Sequence, residues 1–311
     1  MRRTRLTATI GLSAAVLALA ACGSSGGGDA KSAGPTKSTT ASTAAATVCA
    51  GIDPAGTDEL AAVCKKGSIM VSTDPAYPPQ SKLNKDTNEY EGFDIDVAKE
   101  IAKNLGVKTE WIAPSWDVIT AGGWNGRWDM SVGSMTVTED RSKVLNFTPA
   151  YYYTPASIAV NKANTTIKDL TTDLDGKKVG ACSSCTYEAY LKKTLAIPGY
   201  TFNFVVEDVK FSGYDTDSTA IQDLALGDGD RLDAAMSSLT TLQGAIDKGA
   251  PIKLVGDPLF YEPLAVAFDK KADSAALTAA VSKIVEKMHS DGTLTAMSKK
   301  WYDGTDYTVQ K

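Results

Sequence analysis

The chain has 311 residues, 43% hydrophobic and 22% charged, which is more length than one average domain needs and enough apolar surface for a packed core. Its formal charge is −5, from 32 basic and 37 acidic residues. That mildly acidic balance, with lysines scattered along the chain, leaves no basic footprint for nucleic acid.

The chain begins with a basic pentapeptide, "MRRTR", and then "LTATIGLSAAVLALAA", a run too short and too rich in small residues for a membrane span. The run ends in "LAAC", Leu19 to Cys22. A small residue before a cysteine has the form of a lipobox, which predicts a signal peptide over residues 1–21 and a lipid on Cys22. Cleavage would remove three arginines and leave a charge of −8 (−5 minus 3). Residues 23–47 are mostly Gly, Ser, Thr and Ala, too polar to offset their ordering entropy. With Cys22 they form an expected tether, 22–47, with a reach of roughly 25–30 Å. Lipid, tether and folded body together predict a protein held at the outer face of a bacterial cell membrane.

With Cys22 assigned to the lipid, Cys49, Cys64, Cys182 and Cys185 remain, an even number in an oxidising compartment. Of the three possible pairings the local one is expected, Cys49–Cys64 and Cys182–Cys185. "CSSC" stands without a second cysteine pair, and the single histidine is His289, so neither a metal nor a cofactor is expected.

In the folded body, "SIMVSTD" reads as a strand running into the loop "PAYPP". "FDIDVAKEIAKNLG" has helical spacing and a glycine stop. "VKTEWIA" and "RWDMSVGSM" read as strands, the second apolar enough to be covered on both faces. The order then repeats: strand "KKVGAC", helix "TYEAYLKKTL", strand "FNFVVED", helix "DSTAIQDLALGDG", strand "RLDAAMSS", helix "TTLQGAIDKG" and strand "IKLVG". "EPLAVAFDK" and the helices "AALTAAVSKIVEKMHSDG" and "TLTAMSKKWY" follow. This is an α/β chain with two lobes, whose ligand cleft belongs between them at the carboxyl ends of the strands.

"STDPAYPP", "YEGFDIDVAKEIAKNLGVKTEW", "WDMSVGSMTVTEDRSKVLNFTPAYY", "RLDAAM" and "DGTLTAMSKKWYDG" follow one another in the order and spacing of one family. Over roughly residues 65–305 the chain resembles the family 3 solute-binding proteins of ABC transporters, of the polar amino acid type. The resemblance implies a periplasmic-binding-protein-like (type II) fold, with two lobes joined by two crossing hinge strands near Tyr153–Ser157 and Val255–Pro263. Lobe 1 would then comprise residues 48–154 and 262–311, and lobe 2 residues 155–261. It also implies a partner permease and its ATPase, and no catalysis.

For the site, Arg141 offers a planar, permanently charged fork suited to a carboxylate. The resemblance adds the Thr136 hydroxyl to that carboxylate and gives the backbone at Gly133–Ser134 to the ligand ammonium. Thr186, read as a helix N-cap, would form the opposite wall, and the resemblance puts its hydroxyl and the Cys185 backbone N–H on the same carboxylate. Tyr77 and Trp116 are expected to present rings to the ligand, and Asp74 to face a cationic or hydrogen-bonding group. The family usually places an ammonium-binding aspartate where this chain has Ser238. Either another acid compensates, with Asp74, Asp215, Asp217 and Glu262 as candidates, or the ligand is not an ordinary α-amino acid. The expected function is capture of a small carboxylate for import. The alternatives are a sensor on the same lobes, or a dehydratase, which some relatives with this fold are.

Overall fold

Apolar residues at Phe93, Val97, Ile101 and Leu105 recur at helical spacing and form one buried stripe on a 13-residue helix. That stripe covers one face of a sheet whose neighbouring strands contribute Ile69, Val71, Met130 and Val132, all unexposed. The computed structural model describes residues 46–270 and 273–310, so the expected signal peptide, Cys22 and almost all of the tether lie outside the described residues.

A 3-10 turn at Val48–Gly51 precedes α1 (Glu59–Lys66) and β1 (Ser68–Ser72). Three short strands, β2 (Ala76–Tyr77), β3 (Ser81–Asn84) and β4 (Glu89–Glu91), make a separate antiparallel ribbon. Then come α2 (Phe93–Leu105), β5 (Lys108–Ile112), α3 (Trp116–Thr120), β6 (Met130–Thr136), α4 (Arg141–Val144), β7 (Leu145–Phe147) and β8 (Tyr152–Asn161). The second half holds β9 (Lys178–Cys182), α5 (Thr186–Leu191), β10 (Lys210–Tyr214), α6 (Asp217–Ala225), β11 (Ala234–Ser238) and α7 (Leu239–Asp247). The 18-residue β12 (Ile252–Asp269) leads to α8 (Ala275–Ser290) and α9 (Thr293–Trp301).

The main sheet runs β10-β9-β11-β8-β12-β6-β1-β5, with β7 beside β12. β1 pairs in parallel with β5 and β6, and β9 in parallel with β10 and β11, as strand–helix–strand units require. The two long strands β8 and β12 run antiparallel through the middle. Their side chains divide between two cores. Tyr152, Leu264, Val266 and Phe268 pack with α2 and α8, while Ile158, Val160, Val255 and Phe260 pack with α5 and β9. Where the two strands pass from one core to the other, Glu262 lies opposite Thr154.

Three expected elements are corrected. "FNFVVED" forms no strand; β10 is the following segment, Lys210–Tyr214. Phe202 and Phe204 pack instead on Tyr190, and the Val205 N–H donates to the Tyr190 hydroxyl at 3.3 Å, so the segment is held by rings and not by a ladder. "IKLVG" and "EPLAVAFDK" belong to one strand, β12, with a register break between Val255 and Phe260. The helix in "TYEAYLKKTL" stops at Leu191, two residues before Lys193, which has φ 57°.

Both disulfides join the local pairs, Cys49–Cys64 and Cys182–Cys185. The first ties the 3-10 turn to α1 across 15 residues. Replacing Cys49 and Cys64 together by alanine is expected to lower the unfolding free energy by about 3 kcal/mol, read from denaturant midpoints. Glu59, half-buried, and Asp94, fully buried, are among the acids that give the fold a pH dependence. Burial, joined by the charges of Asp129, Asp269 and Asp273, pushes Glu59 up to about 8. Burial raises Asp94 to about 7 against hydrogen bonds from Ser134 and Tyr151. Each therefore binds its proton more tightly when folded than when unfolded, where carboxyls titrate near about 4. Stability should fall as pH rises from about 5 to 8, and Asp94→Asn should flatten that slope. A stability that rises across this window would contradict the assignment.

Candidate functional site

Segments far apart in sequence converge on one cavity. From the first half come Asp74 after β1, Tyr77 on β2, Trp116 at the start of α3, Gly133, Ser134 and Thr136 on β6, and Arg141 at the start of α4. The second half supplies Cys182 at the end of β9, then Cys185, Thr186 and Tyr187 at the start of α5. Asp215, Thr216 and Asp217 enter from the turn into α6, and Glu262 from the crossing of β12. Of the expected residues, Ser238 alone is not part of the lining. It is unexposed, caps α7, and its hydroxyl accepts from the Thr241 N–H at 3.2 Å.

Arg141 is 7% exposed. Its Nη1 donates to the Thr136 carbonyl and its Nη2 to the Ser184 carbonyl, both at 3.1 Å. One guanidinium thus spans the end of β6 and the turn before α5, with the Trp116 ring 5.3 Å away. Burial lowers its pKa to about 10, while the charge of Glu262 pulls the other way, so the cation persists at neutral pH. Ser184 holds that turn at φ 61°, and Ser134, on the other wall, has φ 55°. Left-handed conformations outside glycine carry strain and collect where geometry is tightly determined.

Glu262 changes the expected pattern. It is 2% exposed and accepts hydrogen bonds from Thr136 Oγ1 and the Tyr187 hydroxyl, both at 2.8 Å, and from Thr186 Oγ1. Burial raises its pKa, opposed by these three hydroxyls and by Arg141. The two threonine hydroxyls assigned in sequence to a ligand carboxylate therefore donate to a carboxylate of the chain itself. Thr186 is not the N-cap either; that position is Cys185, and Thr186 is the first helical residue. Glu262 entered the sequence reading only as a candidate acid for an ammonium. The signal for more was there: one charge inside the apolar run "LFYEPLAVAF".

The remaining polar groups differ in how far they are engaged. Ser134 donates its N–H to the Tyr151 hydroxyl at 3.0 Å and its own hydroxyl to Asp94 at 2.7 Å, so both donors point into the protein. Asp74 accepts from the Ala76 N–H at 2.7 Å. Tyr77 and Tyr187 bring their hydroxyls to 3.4 Å. Trp116 Nε1 and Asp217 Oδ1 are buried without a hydrogen-bond partner among the described residues. Burial pushes Asp217 up to about 7, Ser237 lowers it, and Asp74 and Glu262 raise it further. The cavity therefore offers one fixed cation, four acids (Glu262 held by three hydroxyls, Asp74 engaged by a backbone N–H, Asp215 exposed, and Asp217 with one oxygen unpartnered among the described residues) and three aromatic walls.

The chain has relatives of known name. The probable amino-acid-binding protein YxeM of Bacillus subtilis is 31% identical over 241 residues, covering 77% of this chain and 85% of that one. The L-cystine-binding protein TcyJ of Escherichia coli is 30% identical, with coverages of 79% and 86%. Among solved structures, an ancestral arginine-binding protein bound to arginine is 33% identical with a TM-score of 0.66, covering 76% and 98%. An ancestral amino acid-binding protein described as a precursor of cyclohexadienyl dehydratase is 29% identical with a TM-score of 0.68, covering 78% and 99%. Residues 69–304 match the model of the bacterial extracellular solute-binding proteins, family 3, and the chain belongs to that family.

Proposed function

We propose that this protein captures a small amino acid, or a closely related carboxylate, in the Arg141 cavity and delivers it to an ABC permease and its ATPase. The lobes are residues 48–154 with 262–311, and residues 155–261, and they close on the ligand by a hinge motion at β8 and β12. A lipid on Cys22 and the tether to residue 47 hold the protein at the outer face of the cell membrane.

One observation carries this reading. The buried Arg141 is fixed by two carbonyls, which aim its guanidinium without neutralising it. Two of its five N–H groups are engaged in that way among the described residues, which leaves the others to meet an anion. Because Glu262 holds the hydroxyls of Thr136 and Thr186, the ligand carboxylate relies on the guanidinium more than those threonines would suggest. Relatives named for arginine and cystine support an amino acid ligand without choosing one.

The reading includes binding without turnover. The ancestral relative described as a precursor of a dehydratase makes turnover the natural competing test. Thermal unfolding of residues 48–311 against the standard amino acids, L-cystine and amine-free carboxylates tests the proposal. A ligand at a thousand times its Kd adds about 4 kcal/mol, which should raise the midpoint by about 8 °C or more. Arg141→Ala should abolish that shift, and the ligand recovered from the complex should be chemically unchanged. An Arg141→Ala protein that responds as fully as the wild type, or a ligand recovered as product, would overturn it.

A further inference from the structure

We propose that Asp217 is the counter-ion for the ligand's primary ammonium, in place of an acid at Ser238, so that the cavity selects α-amino acids over their amine-free or acylated analogues. This rests on the reading of the cavity as an amino acid site.

The assignment comes from what each polar group already does. Ser238 is unavailable. Besides the Thr241 N–H, its hydroxyl meets Gln80 Nε2 at 3.2 Å and Thr241 Oγ1 at 2.9 Å, and its side chain is fully buried outside the cavity. Four acids line the cavity. Asp215 is exposed, so water screens it. Asp74 is half-buried, with Oδ1 engaged by the backbone. Glu262 is held by three hydroxyls. Asp217 is different: it is 6% exposed, faces the cavity, and keeps Oδ1 without a partner among the described residues. Ser237 Oγ likewise has no partner at hydrogen-bond geometry among the described residues, yet it stands close enough to lower the Asp217 pKa as a donor, as does Asp217's own backbone N–H.

An unpaired buried carboxylate is costly, and an arriving ammonium would relieve that cost. The side chains around it suit a cation. Tyr77 and Tyr187 line the same space and both feel the Asp217 charge, and aromatic faces add attraction for an ammonium. Asp74 and Glu262 are the other titratable groups acting on it, and the negative charge of each raises its pKa. Asp217 is partly protonated near neutral pH before binding and ionised after it. Capture of an amino acid should therefore release protons below about pH 7, and affinity should weaken as pH falls.

Calorimetry on residues 48–311 with three matched pairs tests this: L-arginine with 5-guanidinopentanoic acid, L-glutamine with glutaramic acid, and L-cystine with 3,3′-dithiodipropionic acid. The wild type is expected to prefer the amino acid of any pair it binds. Repeats at pH 6 in buffers of different ionisation enthalpy should reveal proton release. Asp217→Asn should weaken the amino acid by about 30-fold or more, abolish the proton release, and leave the amine-free partner within about threefold. The ligand-free Asp217→Asn protein should melt no lower than the wild type, because the carboxylate it loses is buried, with one oxygen unpartnered among the described residues. A wild type that binds the amine-free member as tightly overturns the proposal. So does an Asp217→Asn protein that binds the amino acid unchanged, or one that has merely lost stability. Arg141→Ala separates the two readings: it should lose both members of a pair even where Asp217 proves irrelevant. No binding of any of the six compounds would overturn the proposal and count against the amino acid site itself.

Discussion

The carboxylate of Glu262 is the constraint around which this cavity is organised. It sits where β12 passes between the two cores and gathers hydroxyls from β6 and from the first two residues of α5. A buried carboxylate without donors would be expensive, and three hydroxyls offset part of that expense. The same bonds fix Thr136, Thr186 and Tyr187 in place. Arg141, whose fork reaches carbonyls on both sides of the same space, is then held next to an anion but not neutralised by it. The site's shape and its charge therefore come from one arrangement.

The cavity also concentrates features that stability alone would remove. Among the described residues Asp217 keeps an unpaired oxygen and Trp116 an unpaired N–H, and Ser134 and Ser184 hold left-handed backbone. Such features persist where surrounding structure over-determines them, and they collect at binding sites. Here that surrounding structure is the pair of apolar cores that the long strands β8 and β12 knit together. On the proposed reading, ligand chemistry is carried by groups whose own contribution to folding is small or unfavourable.

Much of this was legible in the sequence. Helical spacing at Phe93, Val97, Ile101 and Leu105 located α2, and the apolar run ending near Thr136 located β6, because burial imposes those periods directly. The convergence of Asp74, Tyr77, Trp116, Thr136, Arg141 and Thr186 was implied by the resemblance to the family, and it fits sheets whose strand ends meet on one side. What stayed hidden was partner choice. No spacing reveals that Thr136 and Thr186 meet Glu262, because those bonds span 126 and 76 residues. Nor does alternation reveal that "FNFVVED" stacks on Tyr190 instead of joining the sheet, since rings and ladders use the same apolar residues. Ser238 read as a cavity residue by its position, yet the cap of α7 turns its hydroxyl away.

The most direct test of the account is a crystal structure of residues 48–311 with the amino acid that stabilises them most. The account predicts a ligand inside the cavity, its carboxylate within hydrogen-bond distance of Arg141, with Glu262 still held by Thr136, Thr186 and Tyr187. A ligand found instead in the outer groove beside Pro114, Ser115 and Ser183, with the Arg141 cavity unchanged, would contradict it.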